Sequence, residues 1–527
     1  MLSKRLYRIS GFLLFLVILI MPAILPFSVI WADASFDNGL ADDIDNYIRQ
    51  EMKDNKIPGL SLGIVEDNTI VYIKGFGLAS VKKGTVVSTK TVFDLASCSK
   101  SFTALAVLLL WHDGLIDIDK PYKQYIPEFK LDDNGEAKAI TIRELLNQTS
   151  GLPGTFSEPV AYHQGSDAME ELIVAVQKVG INRPPGSSFE YTNLNYALLG
   201  ALVERVSGAL FEDYVNEHIF IPLGMKNSTL SPEFAARLDR ADGHQLFLGK
   251  VVTRNVPVYR SMTPAGWVMS NAEDMCRWLE INLSDGKLDG VQVMPADVIR
   301  LMHSTEVTIT KEGEAAGYGM GWFTNTIDDE TPVLWHGGDT PNFLADMILL
   351  PKQNIGIIML VNGQTSTSTH QIAQKVISMV SNKTINLPSA PWWASWKSTD
   401  DISTYASILS LLSLVGLGFY IWWQIRNINR KRFHPHNNPK SPRRRKIWLF
   451  VIPATPWAVL ILPIATAFII MQTLFGVNIF GTLIRVGYFS PPGAVIAAIF
   501  ILMTLFLWAL AVSLITIFKT LAKHPGS

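Results

Sequence analysis

Length, composition and charge already exclude several classes of protein. The chain has 527 residues, of which 48% are hydrophobic, so it is too long for one ordinary domain and too apolar for a disordered protein. All 46 acidic residues lie between Asp33 and Asp401 against 30 basic ones there, which argues against nucleic acid as a partner, and two cysteines exclude a disulfide framework.

The first 34 residues have the organisation of an export signal. Lys4, Arg5 and Arg8 precede a long apolar run, and Ala32–Ala34 offers small residues at a cleavage site. An uncleaved anchor helix is the alternative, because the run is long enough to span a membrane. Both interpretations predict that the chain after residue 34 lies outside the cytoplasm.

Residues 35–386 are expected to form one mixed α/β domain. Helices are predicted at Ala41–Asp54, Ser97–Trp111 and Leu194–Val206. Strands are predicted at Leu60–Glu66 and Thr69–Gly75, as a hairpin, and later at Tyr318–Thr324, Val333–Trp335, Ala345–Leu350 and Ile355–Val361. This order indicates a single sheet that is built from both ends of the domain.

The C-terminal part contains three apolar runs, at 402–425, 447–475 and 491–518, each long enough for a transmembrane helix. A tryptophan-rich linker at 387–401 precedes them, and buried soluble helices are the alternative. The loop 426–446 has nine Lys or Arg and no acid, so it is predicted to be cytoplasmic. We therefore expect a multi-pass cell-membrane protein with an extracytoplasmic domain, the lipid bilayer as a partner, and a surface for homodimerisation on the spans.

Ser97-Cys98-Ser99-Lys100 supplies a candidate nucleophile and base. At positions i and i+3 of a helix, the Ser97 hydroxyl and the Lys100 amine lie on one face. A partly buried lysine loses its proton more readily and can then accept the proton of a serine. Alone, the S-x-x-K pattern is weak, because it recurs at Ser80–Lys83 in a charged turn.

Tyr191-Thr192-Asn193 precedes a predicted helix and supplies a phenol and an amide. A phenol beside a lysine can carry a proton to a leaving amine. An asparagine amide can bind a substrate carbonyl. A tyrosine that merely begins a helix is the alternative.

His336-Gly337-Gly338-Asp339 follows a predicted strand. Its two glycines let a substrate approach the strand edge closely. The backbone amide of Asp339 is a candidate second donor of an oxyanion hole, with the amide of Ser97 as the first. A plain turn is the alternative. The ten histidines show no metal-ligand spacing, so we expect no metal and no cofactor.

Taken together, these motifs resemble the serine β-lactamase and penicillin-binding protein superfamily, in particular its class C-like branch. The segments that carry the resemblance, within residues 40–380, are Phe93–Lys100, Leu145–Pro153, Phe189–Gly200, Pro222–Met225 and His336–Gly338. The resemblance implies a mainly antiparallel sheet flanked by helices, with an all-α subdomain. It also implies a role for each motif residue: Ser97 as acylated nucleophile, Lys100 as base, Tyr191 as proton carrier and Asn193 as holder of the substrate amide.

The signal and the three spans are similar in layout to the membrane-bound peptidases that activate prodrugs by removing an N-acylated D-amino-acid leader. His336–Phe343 is similar to a loop of those enzymes. The similarity implies substrate binding by the third motif and the residues after it: His336, Gly337, Gly338, Asp339, Thr340 and Asn342. Those enzymes usually have Asn where this chain has Thr340, and often Ser where it has Asn193, so D-asparagine specificity does not follow.

The sequence therefore predicts a serine peptidase or amidase that acts through an acyl-enzyme on amides adjacent to a D-amino acid. Its expected partner is a peptide or amide that contains a D-amino acid, either a metabolite leader or a cell-wall peptide. The alternatives are a D-Ala-D-Ala peptidase, a β-lactamase or an esterase on the same scaffold, and a non-catalytic penicillin-binding sensor. A third-motif histidine, where β-lactamases typically have lysine, disfavours binding of a β-lactam carboxylate.

Overall fold

The structure is a computed structural model that describes residues 36–132, 140–154, 163–311, 314–328, 330–364, 369–387, 396–433 and 492–521. Two predicted segments, the export signal and the span at 447–475, lie outside the described residues. Most of the linker 387–401 and of the basic loop 426–446 lies outside them as well.

The centre of the fold is a nine-stranded sheet in which every strand pair is antiparallel, in the order β10-β11-β12-β13-β14-β15-β1-β2-β3. The strands of the described chain are β1 Gly59–Glu66, β2 Thr69–Ser80, β3 Thr85–Val86, β4 Phe93–Asp94, β5 His244–Phe247, β6 Lys250–Thr253, β7 Met269–Ser270, β8 Lys287–Leu288, β9 Val291–Gln292, β10 Val307–Lys311, β11 Glu314–Tyr318, β12 Phe323–Ile327, β13 Thr331–Asp339, β14 Leu344–Leu350, β15 Ile355–Val361 and β16 Gly363–Gln364. The expected sheet built from both chain ends is confirmed, because β1 pairs with β15.

Helices cover both faces of this sheet. In the described chain they are α1 Asn38–Asp54, α2 Ser99–His112, α3 Ile142–Leu146, α4 Ala168–Ala175, α5 Asn193–Ser207, α6 Phe211–Val215, α7 Ile221–Leu223, α8 Pro232–Ala235, α9 Thr263–Gly266, α10 Ala272–Leu283, α11 Ala296–His303, α12 Thr369–Ser381, α13 Trp396–Phe433 and α14 Pro492–Leu521. The segment between β4 and β7 holds α2 to α9, and this region is mostly helical.

Two hydrophobic cores hold the sheet between its helices. Helices α1 and α12 pack on one face, where Ile44 and Ile377 are fully buried. Helices α2, α5 and α10 belong to the larger core on the other face. The strands β14 and β15 are buried along their whole length, which explains why their sequences are continuous apolar runs rather than alternating ones.

One predicted strand is wrong. The sequence predicts one continuous strand over Tyr318–Thr324, but β11 ends at Tyr318 and β12 begins at Phe323. The backbone turns between them at Gly321, whose φ is +81°. A Cβ atom there would lie 2.8 Å from the Cα atom of Ser101, so this turn packs directly on the first turn of α2.

Two of the described helices are long and apolar enough to cross a membrane, over Asp400–Asn427 in α13 and Ile496–Phe518 in α14. They correspond to the first and third predicted spans. The two helices pack against each other, and the Trp508 indole N–H donates to the Ser413 hydroxyl at 2.9 Å.

Candidate active site

A strained turn presents Ser97 at the start of α2. Ala96 has a φ of +48°, which is unusual for a residue other than glycine, and it begins a single turn of 3₁₀-helix that leads into α2. Leu95 is fixed just before this turn by a backbone hydrogen bond to the Val268 carbonyl, at 2.8 Å. Ser97 itself is half-buried and lines a cleft, so its hydroxyl is open to a substrate.

Lys100 lies directly beneath Ser97 and is fully buried. Its Nζ atom is 3.1 Å from the Ser97 Oγ atom, 2.7 Å from the Asn193 Oδ1 atom and 2.7 Å from the carbonyl oxygen of Ala265. A neutral amine has two N–H donors and one lone pair. In that form the two donors can bind Asn193 and Ala265 while the lone pair accepts the Ser97 hydroxyl proton, which is the arrangement that a general base requires.

The second motif lies at the start of α5, where the Thr192 hydroxyl caps the helix and Asn193 is its first residue. The Tyr191 ring centroid is 4.8 Å from the Lys100 Nζ atom. Burial raises the pKa of Tyr191 well above its usual value, although a hydrogen bond with the Ser97 side chain opposes the shift. The phenol is therefore protonated near neutral pH and can donate.

The third motif forms the end of β13, next to the turn that carries Ser97. A Cβ atom at Gly338 would lie 2.2 Å from the Leu95 carbonyl oxygen and 3.0 Å from the Ser97 amide nitrogen. Only glycine permits this approach. The exposed Asp339 follows and also lines the cleft, so the two candidate oxyanion donors belong to adjoining backbone segments.

His336 is buried behind the cleft as a neutral imidazole. Burial, with a smaller contribution from the nearby Lys100, lowers the pKa of His336 to about 3. The Nδ1 atom lies 2.7 Å from the carbonyl oxygen of Gly337, a contact that places the ring proton on Nδ1. Its Nε2 atom has no hydrogen-bond partner among the described residues. His336 therefore offers the site an acceptor rather than a cation.

Thr340 and Asn342 form a tight turn after the third motif, and only Thr340 lines the cleft. The Thr340 hydroxyl donates to the Asn342 Oδ1 atom at 3.1 Å. The Asn342 Nδ2 atom donates to the Arg254 carbonyl at 2.9 Å, so both ends of this amide are engaged within the protein. Asn342, predicted to bind substrate, thus supports the wall of the cleft from behind.

One cleft is lined by residues of all three motifs, among them Ser97, Asn193 and Asp339. Its opposite wall consists of residues that sequence reasoning did not single out: Met262, Ala265, Gly266 and Trp267. Ala265 contacts Lys100 through its backbone carbonyl, and a backbone contact of this kind cannot be read from the sequence. Only Pro264 indicates, from its residue type, that regular secondary structure is interrupted near Ala265.

A charged pair lies behind Gly337 and was also missed by sequence reasoning. His370, near the start of α12, contacts the buried carboxylate of Asp346 on β14. Burial alone lowers the pKa of a histidine, but here the Asp346 carboxylate outweighs burial and raises the pKa of His370 to about 9. A Cβ atom at Gly337 would overlap the His370 ring, so this pair supports the strand of the third motif.

Cys98, adjacent to Ser97, is structural. It is fully buried, and its Sγ–H donates to the His336 carbonyl at 3.2 Å. Burial raises the pKa of the thiol well above its usual value, which makes it unreactive. Among the described residues, no cluster of His, Cys, Asp or Glu could hold a metal ion.

Comparison with known proteins agrees with this geometry. A family model described as beta-lactamase matches residues 44–378. Protein flp of Staphylococcus aureus strain MW2 is 30% identical over 330 residues, which are 62% of this chain and 64% of that protein. Penicillin-binding protein 4 of Amycolatopsis lactamdurans is 30% identical over 324 residues, which are 60% of this chain and 83% of that protein.

A solved structure has the same fold. The octameric penicillin-binding protein homologue from Pyrococcus abyssi matches with a TM-score of 0.60 at 24% identity, over 69% of this chain and 81% of that one. The matched region is slightly less than two thirds of the length of the flp protein from strain MW2.

Proposed function

Because the chain belongs to the beta-lactamase family, we propose that it is a membrane-anchored serine peptidase or amidase that cleaves amides adjacent to a D-amino acid. The observation that carries this proposal is the distance of 3.1 Å between the Lys100 Nζ atom and the Ser97 Oγ atom, at the bottom of an open cleft. Nucleophile and base within hydrogen-bond reach, with the base held by further groups, are the signature of covalent catalysis.

In the proposed reaction, Ser97 attacks the amide carbonyl while Lys100 accepts the hydroxyl proton. The backbone amides of Ser97 and Asp339 stabilise the oxyanion. Tyr191 donates the proton that the leaving amine needs and recovers one from Lys100. Water then hydrolyses the acyl-enzyme and frees the serine.

The polarity of the site favours a substrate without a free carboxylate beside the third motif. The neutral His336 supplies no positive charge there, the positive charge of His370 behind Gly337 is paired with Asp346, and Asp339 presents an exposed acidic side chain. An internal amide, such as that following an acylated D-amino acid, meets this requirement better than a β-lactam or a C-terminal peptide does.

The apolar helices support the membrane part of the proposal. Large side chains on α13 and α14 are exposed in the chain alone, such as Phe419, Trp422 and Phe518. Exposed apolar surface of this extent needs a lipid or protein environment. The protein should therefore remain with the membrane fraction after alkaline carbonate washing.

The proposal is tested with purified protein and a panel of N-acyl-D-amino amides and their L-isomers, with product identification by mass spectrometry. We expect cleavage of D-isomers, an adduct of a fluorophosphonate probe at Ser97, and loss of both in Ser97→Ala. Ser80→Ala is the matched control, because Ser80 begins the second S-x-x-K sequence but lies at the end of β2. Cleavage that survives in Ser97→Ala refutes the assignment.

The similarity to penicillin-binding protein 4 supports one rival, a penicillin-recognising hydrolase. Turnover of nitrocefin, or stable labelling by a fluorescent penicillin, at rates above those for acyl-D-amino amides would favour it. A folded protein that gives no adduct with any probe would favour a non-catalytic sensor.

A further inference from the structure

We propose that Asp400, at the start of the apolar helix α13, is a positioning residue for the active-site cleft. It acts through the hairpin formed by β5 and β6, which holds the turn Thr340–Asn342 in one wall of the cleft. The kinetic part of the inference rests on the proposed function, whereas the structural part rests on contacts alone.

The first link is a buried carboxylate on a hairpin turn. Asp400 is fully buried, and its two oxygens accept the backbone N–H groups of Leu248 and Gly249 at 2.8 and 2.7 Å. These two residues have φ values of +48° and +77°, so they form the turn between β5 and β6 with both central residues in the left-handed region. On the same turn, Lys56 donates to the Gly249 carbonyl at 2.9 Å.

A buried carboxylate is costly unless hydrogen bonds satisfy it. Both oxygens of Asp400 accept from this one turn, and charge-assisted bonds of this kind are stronger than neutral ones. A helix that served only as an anchor would not need a carboxylate in this place. The start of α13 is therefore fixed to the hairpin rather than merely adjacent to it.

The second link joins the base of the hairpin to Asn342. The His244 amide donates to the Asn342 carbonyl at 3.2 Å, and the Asn342 side chain donates to the Arg254 carbonyl at 2.9 Å. A Cβ atom at Gly243 would lie 2.1 Å from the Asn342 Nδ2 atom. The hairpin and Asn342 therefore have no free space between them, and a shift of one displaces the other.

The third link joins Asn342 to the cleft. Thr340 donates to the Asn342 Oδ1 atom through its hydroxyl, and the turn is closed by the bond from the Thr340 amide to the Phe343 carbonyl, at 3.0 Å. Thr340 and Pro341 line the cleft that contains Ser97. Asp400 is thus connected to the cleft wall by hydrogen bonds to the hairpin turn, by the paired strands β5 and β6, and by the hydrogen bonds of Asn342.

Hydrogen exchange tests the structural part on the full chain in detergent micelles. In Asp400→Ala we expect the amides of Thr340 and Phe343 to exchange about 10-fold faster, because the turn loses its support. Asp400→Asn keeps one acceptor and should show a smaller increase. Asp43→Asn, an exposed charge on α1, is the control and should change nothing. Faster exchange confined to the hairpin, or no change at all, overturns the proposal.

Kinetics test the positioning role, with an N-acyl-D-amino amide as substrate. Asp400→Ala should raise KM about 10-fold with kcat changed less than about 2-fold, because the acylation chemistry is untouched. Asn342→Ala should raise KM by a similar factor. The double variant should also raise KM about 10-fold rather than about 100-fold, since both changes break the same connection. Multiplicative effects overturn the proposal. Should Ser97→Ala remain active, the proposed function fails while the exchange experiment still decides on Asp400.

Discussion

Gly338 and Leu95 approach each other so closely that a Cβ atom at Gly338 would lie 2.2 Å from the Leu95 carbonyl oxygen. This contact joins the strand of the third motif to the turn that carries Ser97. It fixes the spacing between the two backbone amides proposed to form the oxyanion hole.

Gly338→Ala should therefore lower kcat/KM by about 10²-fold or more, because the methyl group separates β13 from the Ser97 turn. Gly337→Ala should be less damaging to activity, since its methyl group meets the His370 side chain rather than backbone, although a shift of that ring weakens its contact with Asp346. Gly180→Ala, where an added Cβ atom makes only an ordinary contact, is the control. Equal activity of the Gly338 and Gly180 variants would contradict this account.

Lys100→Met should lower kcat/KM by about 10³-fold or more, because no other described amine lies within hydrogen-bond distance of the Ser97 Oγ atom. It also leaves the Asn193 and Ala265 oxygens without their donor, at a cost of about 1–3 kcal/mol of unfolding free energy. Steady-state kinetics and urea unfolding measure the two effects. Lys83→Met, in the second S-x-x-K sequence, should change neither; activity retained in Lys100→Met would remove the base from the mechanism.

Tyr191→Phe removes only the phenol oxygen and keeps the ring, which stacks on Phe323 at a centroid distance of 6.3 Å. We expect kcat to fall about 10²–10⁴-fold and the melting temperature to stay within about 2 °C. The leaving group of an activated ester departs without protonation, so the hydrolysis of activated esters should slow much less than that of amides. A loss equal for amides and activated esters would show that Tyr191 does not serve the leaving group.

The neutral His336 predicts a loss of stability in acid. Its pKa is about 3 in the folded chain and near 6.5 when unfolded, so below pH 6.5 the unfolded state binds a proton that the native state does not. The stabilisation is complete above pH 6.5 and is lost as pH falls toward 3. Relative to His336→Asn, the wild type should lose about 1.4 kcal/mol of unfolding free energy for each pH unit across this window, as measured by urea titration. If the difference in unfolding free energy between the two proteins is constant across this window, His336 is charged in the native state.

His370 predicts the opposite trend in alkali. Its pKa is raised to about 9 by Asp346, so between pH 6.5 and 9 the native state holds a proton that the unfolded state has released. The stabilisation is complete below pH 6.5 and is lost as pH rises through 9. Compared with His370→Gln, the wild type should have a free energy of unfolding higher by about 3 kcal/mol at pH 6, with the difference vanishing above pH 9. A difference that persists at pH 10 would contradict the charged pair.

Much of the fold was predictable because its elements have strong local patterns. The apolar runs of β15 and α2 are told apart by length, because β15 has seven residues and α2 has fourteen. The Tyr318–Thr324 error arose because the Gly321 turn is defined by its contact with α2, which lies far away in the sequence. The local sequence pattern gives no information about contacts between residues that are so far apart in the chain.

The same division applies to the candidate site. The Ser97–Lys100 contact follows from helical spacing, so the sequence alone indicates it. The Ala265 carbonyl acts through the backbone, and Asp346 and His370 meet only when α12 packs on β14. No sequence motif indicates these two contacts, because both depend on how the helices pack on the sheet.

The pairing of β1 with β15 has a consequence for the synthesis of this protein. These neighbours are separated by almost three hundred positions in the chain, so the sheet stays open until β15 has left the ribosome or a translocation pore. A half-made chain has Ser97 and Lys100 but lacks β13, which carries the second proposed oxyanion donor. We therefore expect the growing polypeptide to be inert toward its surroundings, so that bond cleavage begins only once synthesis of the whole domain is finished.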